Sequence, residues 1–399
     1  YIIGMKDGCS EDTRLTAIGM LTMLTSSSSS SATPKQMSRR RAAVVSSLDL
    51  FAGVTVLDQS RVRPITKDGE YELYEENLVG RGSFADVYRG QYKFPNQDPV
   101  PVALKIFRNS QSNVKDIQFE AQSHARLGQS HENIIGFHGV ITELQVITEL
   151  GTDRRIAFVM ELAEGGSLRD VLNDHTLYPQ ISWQIRLCWL LQIAEGMKKM
   201  HSLKPHAIIH RDLKSANVLL DRQPATGTTS SAKITDFGVA KESAETVRST
   251  VATYSTAAAG GGRTGTLSWK APETFVMAET EKSDVFSFGV TAFEIATRRL
   301  PFEGLNEREI ERRTRDGFNF SKAREQRRRE SYDHQHAEWL EDHPLESRRP
   351  DLAQIEDDSP PGIKDIIQRW WSDEPADRPS FAECVAELRA IAGRDTGEQ

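Results

Sequence analysis

Three stretches of this chain carry residue types at spacings that suit the handling of a polyphosphate. The first is Val79-Gly80-Arg81-Gly82-Ser83-Phe84-Ala85-Asp86-Val87, where glycines let backbone N–H groups approach phosphate oxygens with no side chain between them. A ligand-free glycine-rich hairpin would read the same, so this stretch decides nothing alone. The second is Val102-Ala103-Leu104-Lys105, an alternating strand that aims Lys105 inward beneath the cradle, toward α- and β-phosphates. Most strand lysines are surface charges; the spacing from the glycines is what favours a functional one. Glu120, on the helical stretch Asp116 to Leu127, is the carboxylate best placed to pair with Lys105. The third is His210-Arg211-Asp212-Leu213-Lys214-Ser215-Ala216-Asn217, followed beyond a short insert by Ile234-Thr235-Asp236-Phe237-Gly238. Phosphoryl transfer from ATP needs a backbone cradle, a lysine, oxygen ligands for Mg²⁺ and a carboxylate beside the attacking hydroxyl. Each has a candidate here, in one order.

Motifs of this length in series resemble the eukaryotic protein kinase family, over roughly four fifths of the chain. The resemblance implies that Asp212 orients the substrate hydroxyl and accepts its proton, that Lys214 neutralises the transferring phosphoryl group, and that Asn217 and Asp236 hold the metal ions. It implies a nucleotide site built from Val79, Gly80, Gly82 and Lys105, with Val87, Ala103 and Leu219 around the adenine. Glu161 and Ala163 would be hinge residues bonding the base edge, and Met160 the gatekeeper. His210 is expected to pack against Phe237 rather than act as a base. Ala85 stands where a third glycine is usual, which should stiffen the loop. His124, four residues after Glu120, stands where kinases place an apolar residue under Phe237; either the pocket is polar or the helix register differs.

The segment from Asp236 to Ala271-Pro272-Glu273 carries Ser249, Thr250, Thr253, Tyr254, Ser255 and Thr256 ahead of Gly260-Gly261-Gly262. A phosphate there would find the cation of Arg211, so activation by phosphorylation between Ser249 and Thr264 is expected. By the same resemblance Asp284 braces the catalytic loop, Arg378 pairs with Glu273, and Trp370 and Trp371 are core residues. Lys214 and Gly265-Thr266 match serine/threonine kinases. Glu161 to Leu168, Ser283 to Val290 and the run from Trp370 to Phe381 look tyrosine kinase-like in their surroundings. The combination resembles the tyrosine kinase-like group, whose members mostly phosphorylate Ser and Thr, with Thr266 expected to contact Lys214 and Asp212.

The elements that must position these residues follow. Short β-type runs bracket glycine-rich turns up to Leu162, with one helix near Asp116 to Leu127; beyond Gly166 the chain reads mainly helical, near Trp183 to His201, Ser283 to Thr297 and Pro361 to Trp371. The expected fold is α+β and two-lobed: a small antiparallel N-lobe sheet with one helix (72–162) and a larger helical C-lobe (163–394). Residues 1–70, with the serine run Ser26 to Ser31 and the triplet Arg39 to Arg41, read as mostly disordered. An insert at Gln223 to Ala232 reads as a surface hairpin, and one at about 319–346 as an exposed charged helix.

A hydrophobic share of 38% and a charged share of 27% over 399 residues suit a globular chain, and a net charge of −7 gives no reason to expect nucleic acid. Cys9, Cys188 and Cys384 are too scattered for a disulfide framework. The cytoplasm is favoured, with the nucleus as second reading. No membrane span is visible, and since the chain opens on Tyr1, an upstream anchor is left open. Expected partners are proteins offering Ser or Thr acceptors and an upstream activating kinase. Three other readings compete. A catalytically dead scaffold predicts loss of Lys105, Asp212, Asn217 or Asp236, all of which are present. The cytoplasmic part of a receptor kinase would keep the same activity. A non-kinase nucleotide module conflicts with the glycine loop, which lacks G-K-[ST] and opens no helix.

Overall fold

The strands nearest the glycine motif form one antiparallel sheet. The computed structural model describes residues 51–64, 77–82, 84–108, 114–127, 131–148, 151–224, 230–238, 240–242, 267–275, 277–316 and 349–395. The sheet contains β1 (Val62–Pro64), β2 (Leu78–Arg81), β3 (Ala85–Tyr92), β4 (Val100–Phe107), β5 (Phe137–Thr148) and β6 (Gly151–Glu161), in the order β1-β3-β4-β6-β5, with β2 also pairing with β3. β4 shows why the sequence makes this layer. Its side chains alternate across the sheet, so Val102, Leu104 and Ile106 enter an apolar core with Ile141 and Val159. Ala103, Lys105 and Phe107 take the opposite face. Helix α1 (Val114–Leu127), the one N-lobe α-helix among the described residues, buries Ile117, Glu120, Ala121, His124 and Leu127.

Beyond β6, β7 (Gly166–Ser167) leads into α2 (Leu168–Asn173), where the Ser167 side chain caps the helix by accepting from Asp170 N–H. α3 (Trp183–His201) follows, then the short strands β8 (Ile208–Ile209), β9 (Val218–Leu220), β10 (Ala232–Ile234) and β11 (Lys241–Glu242). α4 (Glu281–Thr297) starts in a capping box of Thr280 and Ser283 and is buried nearly all round, as its apolar composition requires. α5 (Glu307–Asp316), α6 (Ile363–Trp370) and α7 (Phe381–Asp395) are the remaining α-helices among the described residues. Trp189, Ile193, Phe286, Phe288, Trp370 and Trp371 share its core. The two-lobed α+β expectation holds. Among the described residues no helix is long and apolar enough to cross a membrane.

The structure differs from expectation at the N-terminus. Within the stretch read as mostly disordered, residues 53–64 are built into the sheet: Leu57 N–H donates to Val140 O at 2.7 Å, Val140 N–H to Thr55 O at 2.9 Å, and Val62 to Pro64 pair with Tyr92 to Gly90. Three strand residues ending in proline have no readable period, and backbone pairing rather than side-chain pattern holds them. The described end of the insert is packed into the fold: β9 and β10 pair, and the fully buried Ser230 accepts from Trp189 Nε1–H through its carbonyl at 3.1 Å. The serine run, the arginine triplet, the hydroxyls from Ser249 to Thr266 and the charged insert lie outside the described residues.

Candidate active site

Strand β4 and helix α1 bring opposite charges together where the sheet meets the helical lobe. Lys105 Nζ donates to Glu120 Oε1 at 2.6 Å and to Asp236 Oδ1 at 3.0 Å. The pairing with Glu120 confirms the helix register, and with it His124 lies inside the aromatic layer: its ring stacks on Phe137 at 4.8 Å and meets the edge of Phe237 at 4.5 Å. The pocket is polar there. Burial alone would lower the Lys105 pKa, but the fields of Glu120 and Asp236 outweigh it and raise it. Burial pushes the Glu120 carboxyl up, with Lys105 opposing. The Lys105 charge draws Asp236 down to about 2, so it is anionic at any physiological pH. A Cβ on Gly238 would lie 3.3 Å from Glu120 Oε2 and 3.4 Å from Asp236 Oδ1, a tight fit beside this pair.

The loop between β8 and β9 holds a second cluster. Asp212 Oδ2 accepts from Lys214 Nζ at 2.7 Å and from Asn217 Nδ2 at 2.9 Å; the same amide donates to Asp212 O at 2.8 Å. Asp212 Oδ1 is buried and has no hydrogen-bond partner among the described residues. Arg211 and Asp236 both adopt left-handed backbone, φ 71° and 67°, a conformation costing about 1–3 kcal/mol at a non-glycine residue. Asp284 offsets part of this from α4: its carboxylate accepts the N–H of His210 at 2.8 Å and of Arg211 at 2.9 Å. His210 packs edge-on to Phe237 at 5.6 Å, and its Nε2 lies 3.1 Å from Thr235 O, so it is committed to holding the loop.

The residues expected around the nucleotide sit on the adjoining strands. Gly80 faces Val87 across the β2–β3 pair, and a Cβ at Gly80 would meet nothing within 4 Å. Gly82 N–H closes the turn onto Ala85 O at 2.9 Å. Val79 is exposed. Val87 pairs with Lys105, and Ala103 with Met160. Glu161 ends β6 and Ala163 is buried just beyond it. Gly165 N–H donates to Leu220 O at 2.9 Å, which holds β9, and Leu219 with it, against this crossing segment.

Two side chains at the site were not singled out in the sequence. Lys233 Nζ lies 3.0 Å from Glu161 Oε1, and Glu161 Oε2 accepts from Gly136 N–H at 3.0 Å, so the Glu161 side chain is occupied structurally. Glu279 Oε2 accepts from Arg211 at 2.8 Å, so this guanidinium already holds a carboxylate. Neither position carries a motif; only their places within β10 and before the α4 cap could have drawn attention. Arg378 and Glu273 make the expected pair, doubly bonded at 2.6 and 2.8 Å. Thr266 lies outside the described residues.

The family model "Protein kinase domain" matches residues 73–388. The chain is 30% identical over 335 residues to mitogen-activated protein kinase kinase kinase 7 of Bos taurus, covering 84% of this chain and 46% of that one. The Homo sapiens protein of that name gives 30% over 335 residues, 84% and 44%. The probable serine/threonine-protein kinase drkD of Dictyostelium discoideum gives 29% over 313 residues, 77% and 19%. The chain thus spans under half the length of each of these relatives. Motifs, fold, paired charges and relatives agree: the chain belongs to the protein kinase family.

Proposed function

We propose that the chain transfers the γ-phosphoryl group of ATP to Ser and Thr hydroxyls of protein substrates, with Asp212 as the catalytic carboxylate. The observation that carries this reading is the buried Oδ1 of Asp212, unpartnered while its sister oxygen is fixed by Lys214 and Asn217. That arrangement leaves one acceptor ready for a hydroxyl proton. In this reading Lys105, held by Glu120, bonds the α- and β-phosphates while the glycine turn covers them. The acceptor oxygen forms its bond to γ-phosphorus as the bond to the bridging oxygen breaks, the proton passes to Asp212, and Lys214 balances charge on the phosphoryl oxygens. The hard oxygens of Asn217 and Asp236 suit Mg²⁺, which when bound would screen the phosphates. The adenine lies by Val87, Ala103 and Leu219, with Glu161 and Ala163 bonding its edge through backbone.

Activation by phosphorylation of the segment after Asp236 and a role in signalling accompany this reading. The relatives' name, a kinase kinase kinase, suggests that the acceptor protein is itself a kinase. The cytoplasmic setting rests on the scattered cysteines, of which Cys188 and Cys384 are free; fractionation of cells making the tagged chain tests it. The activity is tested with the full chain, Mg²⁺ and labelled ATP on dephosphorylated casein, followed by phosphoamino-acid analysis. Label should appear on Ser and Thr and fall by about 10²–10⁴ in Asp212→Asn. Undiminished labelling in that variant, or none by the folded parent even after treatment with an activating kinase, would overturn the assignment.

A further inference from the structure

The outer face of the glycine turn carries charge that the phosphoryl-transfer reading leaves unused. Val87 pairs with Lys105 across β3 and β4 and shares its face; Asp86, one residue earlier, pairs with Ile106 and so takes the opposite face. There it meets Arg108, the first residue past β4. Arg108 Nε donates to Asp86 Oδ2 at 2.8 Å, and its Nη2 donates to Asp86 Oδ1, making a two-point fork. The backbone N–H of the same arginine donates to Phe84 O at 3.0 Å, which prolongs the β3–β4 ladder into the turn. From the other side, Arg81 stands directly opposite Asp86 in the β2–β3 pair. The Arg108 guanidinium, supported by the charges of Arg81 and Arg155, holds the Asp86 carboxyl below its usual range, with burial opposing.

Ion pairs at a surface usually contribute little, because two long side chains must be held still for a screened attraction. This pair differs in two ways. Its fork fixes direction as well as distance, and the Asp86 side chain is only 17% exposed, although that of Arg108 is 45% exposed. Its place decides what the direction does. Arg108 follows Lys105 by three residues along one strand, whereas Phe84 and Asp86 flank Ala85, whose carbonyl closes the turn onto Gly82. A turn built on Gly80 and Gly82 is free to sample many positions unless something outside it sets one. Two attachments to a single arginine set its height above Lys105. We infer that Arg108 and Asp86 are positioning residues for the triphosphate, clamping the glycine turn to the strand that carries Lys105. The inference deepens the kinase reading and rests on it for the ligand; the clamp itself stands on geometry alone.

The test separates phosphates from base. Calorimetric titrations of the full chain with Mg-ATP and with adenosine compare the parent, Arg108→Gln and Asp86→Asn. Each variant should bind ATP about three- to fivefold more weakly, the upper range for a single ion pair near a surface. Adenosine has no phosphate for the turn to cover, so its affinity should stay at the parent's value, which also shows that the variants are folded. In steady-state transfer to dephosphorylated casein, the KM for ATP should rise by the same factor, while kcat and the casein KM stay within about twofold. The double variant Asp86→Asn/Arg108→Gln should bind ATP no more weakly than the weaker single variant, since both substitutions break one link. In amide exchange, either substitution should speed residues 80–87 and leave α1 and residues 212–217 unchanged. Equal ATP affinity in parent and variants, an equal loss for adenosine, or multiplying losses in the double variant would overturn the inference. A parent chain that binds no ATP would sink the kinase reading instead, and exchange at residues 80–87 would then decide by itself whether the pair holds the turn.

Discussion

Replacing His124 by leucine should stabilise the protein and remove part of its sensitivity to acid. The ring is 2% exposed, stacked on Phe137 and edge-on to Phe237 and Phe158, and its Nε2 has no hydrogen-bond partner among the described residues. An unpaired buried polar atom costs about 1–3 kcal/mol, and leucine offers similar volume without it. Burial, and secondarily the nearby Lys105 charge, draw the imidazole pKa from its ordinary 6.5 down to about 3, with Asp236 opposing weakly. The sign follows from proton counts. Below pH 6.5 the unfolded chain binds a proton at this site and the folded one does not until about pH 3, so stability is intact above 6.5 and drains away as pH falls toward 3. At pH 5.5 the loss relative to pH 8 is about 1.4 kcal/mol. For a domain of about 320 residues, with an unfolding entropy of about 2.1 cal/mol/K per residue, that is about 2 °C in Tm. Thermal unfolding of both proteins at pH 8 and pH 5.5 measures it. The parent should lose about 2 °C more than His124→Leu across the interval, and the variant should melt higher at pH 8. Equal losses in the two proteins, or a lower melting point for the variant at pH 8, would refute the reasoning.

Three further outcomes are expected. Glu120→Gln removes one of the two carboxylate charges on Lys105, and a lysine drawn toward Asp236 should cost about 10² in kcat/KM, read by steady-state transfer to casein; a change under threefold would reject the pairing as functional. Arg378→Leu strands Glu273, 3% exposed, without its cation, and should cost about 3–5 kcal/mol of stability, measured by urea unfolding. Glu279 and a phosphate on the activation segment would compete for one guanidinium, so Glu279→Gln should enlarge the stimulation by phosphorylation, by roughly fivefold for about 1 kcal/mol; equal stimulation in parent and variant would remove the competition.

The chemistry was legible where it depends on residue identity. Asp212, Lys214, Asn217 and Asp236 cannot be replaced by a similar pattern, so their spacing named both motif and lobe. Glu120 was legible only as a partner for Lys105, and its distance was needed to fix the register that also places His124. Helix α3 was read to the residue because its apolar positions repeat with the helical period. Glu294, buried in α4 with its carboxylate accepting from Trp269 Nε1–H at 2.6 Å, and Glu279 were not legible. A single acid within an apolar helix, or one before a cap, gives no periodic signal, and each acquires meaning only from donors that are distant in the chain. β1 escaped for a related reason: Val62-Arg63-Pro64 is held by hydrogen bonds that any sequence could make.

That clasp alters where this protein can be cut. The family match begins at residue 73, yet Tyr92 is covered by the chain around Asp58 and Val62, with its hydroxyl 3.4 Å from Asp58 O. A fragment trimmed to the match would bare the β3 edge at Gly90 to Tyr92 and release the Val140 backbone from Thr55 and Leu57. An uncovered strand edge invites pairing with a second chain. The span that marks the protein's ancestry and the span that completes its sheet are therefore different lengths of the same polypeptide.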